Sequence, residues 1–123
     1  MNMRKITLVL ALALTFAGLL AACGGAEQSA PAVEPTGNTV DLAIEAKDFE
    51  FDQKEYRVKA GDTVNVSFVN AQGMHGIDIV GYNVKLGDGD TATFVAAPGE
   101  YDIVCNIMCG TGHSQMRSKL IVE

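Results

Sequence analysis

The sequence predicts an all-β domain, an antiparallel sandwich or barrel, preceded by an N-terminal signal peptide. Three observations predict this fold class. From about residue 40 onward, apolar and polar residues alternate with a period of two, which is typical of half-buried strands. Turns that contain glycine separate the alternating runs at short intervals. No long amphipathic helix is evident in the sequence, so the strands are expected to pack against one another.

Six segments carry the strand pattern. Their inward-facing residues are predicted to be Val40, Leu42, Ile44 and Ala46; Val64, Val66 and Phe68; Ile77 and Ile79; Ala92 and Phe94; Tyr101, Ile103 and Cys105; the sixth strand covers 119–123. The intervening turns are predicted at 60–62, 70–73, 87–89 and 98–99. Evenly spaced short strands joined by glycine turns favour the sandwich or barrel.

The N-terminus has the composition of a secretory signal peptide, predicted over residues 1–22. Arg4 and Lys5 precede an almost wholly apolar run that becomes rich in small residues. The run ends in the letters LAAC, which resemble a bacterial lipobox and close on Cys23. That resemblance implies cleavage before Cys23 and lipidation of this residue. The chain would then be anchored to a bacterial membrane and face the periplasm or the cell exterior; an unlipidated signal peptide or an uncleaved anchor is the alternative.

Two further units are predicted after the signal peptide. Residues 23–38 are small, polar and proline-bearing, which is typical of a flexible tether. Residues 39–123 carry the strand pattern and form the predicted folded domain. A chain of this length suits one domain with its own core.

The charge of the chain argues against one class of partner. The full sequence has 9 basic and 15 acidic residues; without Arg4 and Lys5 the formal charge falls from −6 to −8. Nucleic-acid binding is disfavoured because it needs a basic surface. The acidic surface either attracts a basic protein partner or only keeps the domain soluble.

The chemically distinctive residues fall at the ends of predicted strands. The letters CNIMCGTGHSQM begin at Cys105 and include Cys109, His113 and Met116. The chain has one other histidine, His75, placed after a turn at the start of a strand. Because strand ends and their loops present ligands in a rigid sandwich, these side chains are expected to converge at one end.

These side chains could form three kinds of site: a disulfide, a zinc site or a copper site. A Cys105–Cys109 disulfide is geometrically possible, but it would stabilise little and leave the histidines without a role. A tetrahedral zinc site of two cysteines and two histidines would not need Met116. Thiolate, imidazole and thioether together suit copper. A mononuclear blue copper site needs only one cysteine, whereas two thiolates can bridge two copper ions.

The spacing Cys-x3-Cys-x3-His-x2-Met resembles the binuclear CuA motif of cytochrome c oxidase subunit II and of the cupredoxin domain of nitrous oxide reductase. The upstream segment from His75 to Cys105, with its proline–glycine turn, is similar to the subunit II pattern. The resemblance implies a cupredoxin-like Greek-key β-sandwich or barrel that binds two copper ions. The implied ligands are bridging Cys105 and Cys109, one histidine for each ion (His75 and His113), a weak axial Met116, and the backbone carbonyl of Ile107.

The same resemblance implies electron transfer and no catalysis by the chain alone. A cytochrome c or a small copper protein would be the donor, and oxidase subunit I or another terminal reductase the acceptor. Ile107 stands where many subunits II have a glutamate, and the chain has no tryptophan. Ile107 and the lack of a membrane helix favour a free-standing carrier slightly over an oxidase subunit. A copper-delivery protein and a metal-free module with a disulfide are the rival hypotheses.

Overall fold

The computed structural model describes residues 29–123, which form two β-sheets. The predicted signal peptide 1–22, the predicted lipidation of Cys23 and the first tether residues lie outside the described part. The strands are β1 (Thr39–Lys47), β2 (Glu50–Phe51), β3 (Glu55–Val58), β4 (Thr63–Asn70), β5 (Ile77–Ile79), β6 (Val84–Leu86), β7 (Thr91–Val95), β8 (Gly99–Cys105) and β9 (Arg117–Val122). A short 3-10 helix, His113–Gln115, precedes β9.

One sheet has four strands and the other has five. The order is β2-β1-β4-β7 in the first sheet and β3-β9-β8-β5-β6 in the second. The inward faces carry the residues that the alternation predicted, including Ile44, Phe68 and Ile103, each at most 1% exposed. These side chains join one core between the sheets, which confirms the all-β fold class.

Two strand pairs are parallel, so the expectation of an antiparallel sandwich is wrong in that respect. β1 runs parallel to β4, with Leu42 opposite Val66, and β3 runs parallel to β9, with Tyr56 opposite Leu120. After β1 the chain forms β2 and crosses to the other sheet as β3 before it returns as β4. Local alternation fixes which face of a strand is buried, but it does not encode the direction of a partner that is distant in the chain.

The predicted elements match the structure except where strands are short. β2, β3 and β6 were not predicted, because two to four residues are too few to establish a period. The last strand begins at Arg117, two residues before its predicted start. Within the described residues, no helix is long and apolar enough to span a membrane.

The second half of the predicted tether lies against the domain. The N–H of Ala30 donates to the carbonyl oxygen of Gly81 at 2.8 Å, and that of Thr36 donates to Gly61 at 2.9 Å. The Thr36 hydroxyl also donates to the Gly61 carbonyl. The tether prediction over 23–38 therefore differs from the structure for these residues, which are fixed by backbone hydrogen bonds that composition does not reveal.

The strand register brings the ends of five strands to one end of the sandwich. β1 and β4 end there together, because Ala46 pairs with Asn70. β5 starts there beside the last residue of β8, because Ile77 pairs with Cys105. β9 starts at the same end, with Arg117 opposite Val104. The loops at this end carry the residues that the sequence singled out.

Candidate metal centre

His75 is held by hydrogen bonds on its backbone and on one ring nitrogen. The side chain of Asn70, the last residue of β4, accepts from the His75 N–H at 3.1 Å and donates to the His75 carbonyl at 2.9 Å. The Nε2 atom lies 2.9 Å from Oδ1 of Asp48, just after β1. The imidazole is fully buried, and its Nδ1 atom has no hydrogen-bond partner among residues 29–123. A buried nitrogen left free in this way is available as a ligand atom.

The two cysteines are close together without a disulfide bond. Their Sγ atoms are 3.6 Å apart, whereas a disulfide would place them about 2.05 Å apart. Cys105 is buried at the end of β8 and Cys109 is half-buried in the following loop. The ligand atoms of His75, Cys105 and Cys109 all lie within 4.8 Å of one another. The structure therefore brings the upstream histidine to the cysteine pair.

His113 contacts the cluster of His75, Cys105 and Cys109 at the Cys109 sulfur. Its Nδ1 atom lies 3.7 Å from the Cys109 Sγ atom, and its ring is half-exposed at the start of the 3-10 helix. The loop between them bends at Gly110, whose φ of 136° favours glycine. His113 lies outside the group of three atoms that are mutually close, so it flanks the site on the solvent side.

The remaining two predicted ligands, Ile107 and Met116, also lie beside Cys105. The carbonyl oxygen of Ile107 is 3.2 Å from the Cys105 Sγ atom. The carbonyl oxygen of Met116 accepts from the Cys105 N–H at 3.3 Å, and the Met116 side chain is 1% exposed in the same core cluster as Cys105. The six residues predicted from the sequence therefore occupy one end of the sandwich.

The electrostatics of the pair favour the protonated form of one thiol. Burial raises the pKa of Cys109 above its ordinary value, and the contact with Cys105 adds to the rise. A metal ion must therefore displace a proton from Cys109 when it binds.

Sequence reasoning missed the residues that support the ligands. Asp48, Phe49 and Asn70 lie at strand ends, and none has a spacing that connects it with His75. The one available signal is positional: Asp48 follows the alternation of β1, and Asn70 ends that of β4.

The donor set fits copper on its own chemistry. It combines two thiols without a disulfide, one imidazole nitrogen without a partner among the described residues, a second imidazole and a backbone carbonyl. Soft sulfur ligands together with imidazoles suit copper. Sulfur atoms 3.6 Å apart are too far apart for a disulfide bond, so both are available as ligands at one site.

Comparison with known proteins gives relatives that cover most of the chain. The chain is 29% identical over 100 residues to cytochrome c oxidase subunit 2 of Thermus thermophilus, covering 76% of this chain and 74% of the relative. It is 31% identical to a chain of a heme-copper terminal oxidase dimer, over 98% of this chain and 97% of the other, with a TM-score of 0.60.

A third similarity concerns the fold alone. The periplasmic domain of subunit II of cytochrome oxidase from Bradyrhizobium japonicum has a TM-score of 0.63 at 16% identity, covering 76% of this chain and 87% of that domain. No family model matches the chain.

Proposed function

We propose a function from one premise: the chain belongs to the cytochrome c oxidase subunit II family. On that premise, it binds two copper ions in a centre of CuA type and transfers single electrons between a donor and a terminal oxidase or reductase. It is an electron-transfer module and does not catalyse a reaction by itself. The family relation and the cluster of His75, Cys105 and Cys109 support a copper electron-transfer role.

The observation that carries the proposal is the geometry of the two sulfur atoms. Cys105 and Cys109 present unbonded Sγ atoms 3.6 Å apart. A ring nitrogen of His75 lies within 4.8 Å of both sulfurs, and among the described residues its Nδ1 atom has no hydrogen-bond partner. In the proposed centre the thiolates of Cys105 and Cys109 and the imidazoles of His75 and His113 would hold the two ions, and two weaker ligands would complete the set. The weaker ligands are the Met116 thioether and the Ile107 carbonyl.

A bound copper pair supplies reversible one-electron exchange at a site that the protein keeps rigid. The chain contributes rigidity because three of the proposed ligands are held by paired strands. Cys105 is the last residue of β8 and is hydrogen-bonded to Met116, which directly precedes β9. His75 lies just before β5 and is hydrogen-bonded to Asn70 at the end of β4. A framework that holds its ligands in place limits the rearrangement between oxidation states. His75 is buried while His113 is half-exposed, so His113 offers the shorter route between the site and a partner in solution.

The proposed partners follow from family and charge. A cytochrome c or a small copper protein is the proposed donor, and the acidic chain would attract a basic donor surface. Oxidase subunit I or another terminal reductase is the proposed acceptor. Lipidation of Cys23 would hold the domain at a bacterial membrane, facing the periplasm or the cell exterior.

One observation favours the alternative of copper delivery. Met74 is 72% exposed and directly precedes His75 in the chain. Met108 is 81% exposed and lies between Ile107 and Cys109. Exposed thioethers beside a site are suited to receiving or releasing Cu(I). A carrier would keep its copper against a Cu(I) chelator, whereas a delivery protein would release it readily.

The proposed function is tested by rapid mixing of the oxidised, copper-loaded protein with a reduced basic c-type cytochrome. We expect oxidation of the cytochrome with one electron per protein, at a rate that falls as ionic strength rises. The Cys109→Ser variant, treated in the same way, serves as the control for electrons that leave by another route. No electron transfer from any basic cytochrome, together with rapid copper loss to the chelator, would support copper delivery instead.

A further inference from the structure

A carboxylate far from the ligands in sequence contacts the buried histidine. Asp48, in the turn between β1 and β2, places Oδ1 2.9 Å from the Nε2 atom of His75. The imidazole is completely buried, while the carboxylate is 38% exposed. The partner of Nε2 is thus fixed, and the opposite ring nitrogen has none.

This pairing determines which nitrogen of His75 carries the proton. A carboxylate accepts hydrogen bonds, so Nε2 must be the donor and must carry the proton in a neutral ring. Nδ1 is then unprotonated and carries a free lone pair, and a ring nitrogen of His75 lies within 4.8 Å of both cysteine sulfurs. A histidine ligand must present such a lone pair, and its other nitrogen commonly donates to a carboxylate.

The surrounding chain encloses this contact. Gly73 has a φ of 81°, and a Cβ atom there would collide with the Asp48 carboxylate and lie 2.7 Å from the His75 Nε2 atom. The ring of Phe49 meets that of His75 edge-on with centroids 6.2 Å apart. A Cβ on Gly112 would collide with the Phe49 ring. The turn after β1 therefore fits closely between His75 on one side and the loop that carries His113 on the other.

We propose that Asp48 is a positioning residue for copper: it holds His75 as the Nε2–H tautomer, so that Nδ1 faces the metal, and its negative charge makes the imidazole a stronger donor. The role in copper binding rests on the proposed function. The tautomer itself does not, because it is a property of the metal-free protein. The negative charge also favours the oxidised metal and so lowers the reduction potential.

The first test is nitrogen-15 NMR of the imidazoles in the metal-free protein. At about pH 8 an ordinary imidazole is neutral, and the cross-peak pattern shows which nitrogen carries the proton. We expect the proton on Nε2 of His75 in the wild type and in Asp48→Asn, whose amide oxygen still accepts. In Asp48→Ala we expect a mixture of tautomers. A wild-type proton on Nδ1, or an unchanged single tautomer in Asp48→Ala, would overturn the proposal.

The second test measures copper affinity and reduction potential in the same variants. We expect Asp48→Ala to bind copper about 10- to 100-fold more weakly than the wild type. Asp48→Asn should keep most of the affinity, because the hydrogen bond remains, but have a higher potential because the charge is lost. Asp41→Asn, on the exposed face of β1 with its carboxylate bonded to Asn65, is the matched control for charge and should change neither quantity.

The outcomes separate the two proposals. If the wild type binds no copper, the proposed function fails. The NMR measurement on the metal-free protein then still tests whether Asp48 fixes the tautomer of His75. If Asp48→Ala does not fold, Asp48→Asn retains the test through its potential. A normal affinity in folded Asp48→Ala, or equal potentials for Asp48→Asn and the wild type, would contradict the positioning role.

Discussion

At the end of the sandwich that holds the candidate ligands, several lone pairs have no strong hydrogen-bond partner among the described residues. A buried lone pair of this kind lowers the stability of the metal-free protein. The buried Nδ1 atom of His75 has no partner, and such a group costs about 1–3 kcal/mol of stability. The thiols of Cys105 and Cys109 make only weak contacts with each other and with neighbouring groups. A bound metal would satisfy these atoms together. We therefore expect copper to stabilise the protein against unfolding, in proportion to its affinity.

Replacing Cys109 with serine tests the bridging role of the second sulfur. The hydroxyl of serine is a poor copper ligand, so one of the two bridges is lost. We expect copper content to fall below two ions per chain and the spectrum of a shared electron to disappear. Absorption and electron paramagnetic resonance spectra measure both. Met108→Leu, an exposed position in the same loop, is the control, and an unchanged spectrum in Cys109→Ser would refute the assignment.

Replacing Met116 with leucine tests a weaker ligand. The two side chains have similar volumes, so the cost in stability should stay below about 1.5 kcal/mol even at this buried site. We expect both copper ions to remain and the reduction potential to change, because an axial thioether tunes the potential without holding the metal. Voltammetry of Met116→Leu beside Met108→Leu measures the difference. Loss of copper in Met116→Leu alone would show that the residue has a structural role instead.

The raised pKa of Cys109 predicts how copper binding depends on pH. Burial and the neighbouring Cys105 thiol keep Cys109 protonated below its raised pKa, and the thiolate is the form that binds metal. Each proton displaced makes apparent affinity about tenfold weaker for each unit that the pH falls. Titrations against a chelator at several pH values should show tighter binding as pH rises towards that pKa. An affinity independent of pH would contradict thiol ligation.

At the scale of the elements, periodicity predicted faces better than it predicted connections. The residues of β4 and β8 that point inward were identified correctly, because burial selects apolar side chains at every second position. The parallel pairing of β1 with β4 was not predicted, because it depends on where the chain crosses between sheets. The candidate ligands were predicted from the motif spacing and from the resemblance of the upstream segment that begins at His75. Asp48 was not, because only the fold brings it to His75.

The end of β4 supplies a prediction of its own. Asn70 forms two hydrogen bonds with the backbone of His75, each worth about 0.5–1.5 kcal/mol. Asn70→Ala should lower the free energy of unfolding by about 1–3 kcal/mol and weaken copper binding, because the loop that carries His75 loosens. Chemical denaturation and chelator competition measure the two effects.

Asn65→Ala, in the same strand but bonded to Asp41 and Thr93 away from the site, is the control for Asn70→Ala. It should leave copper affinity unchanged. Equal effects of the two substitutions on affinity would show that the Asn70 contacts do not position the ligand.

At the scale of the whole molecule, residues 30–36 contact one end of the sandwich. Ala30 and Thr36 are bonded to turns towards the end opposite Cys105. If Cys23 carries a lipid, the seven residues from there to Ala30 span at most about 25 Å. The greatest distance between the domain and the membrane would thus be shorter than with a free tether over 23–38.

The central claim is that two copper ions share one site at the ligand end of the sandwich. The most direct measurement is copper stoichiometry with an electron paramagnetic resonance spectrum of the chain from Gly24 onward, loaded with Cu(II). We predict two ions per chain and one unpaired electron spread over two equivalent copper nuclei. A spectrum of a single copper ion, or none together with a Cys105–Cys109 disulfide, would contradict the account.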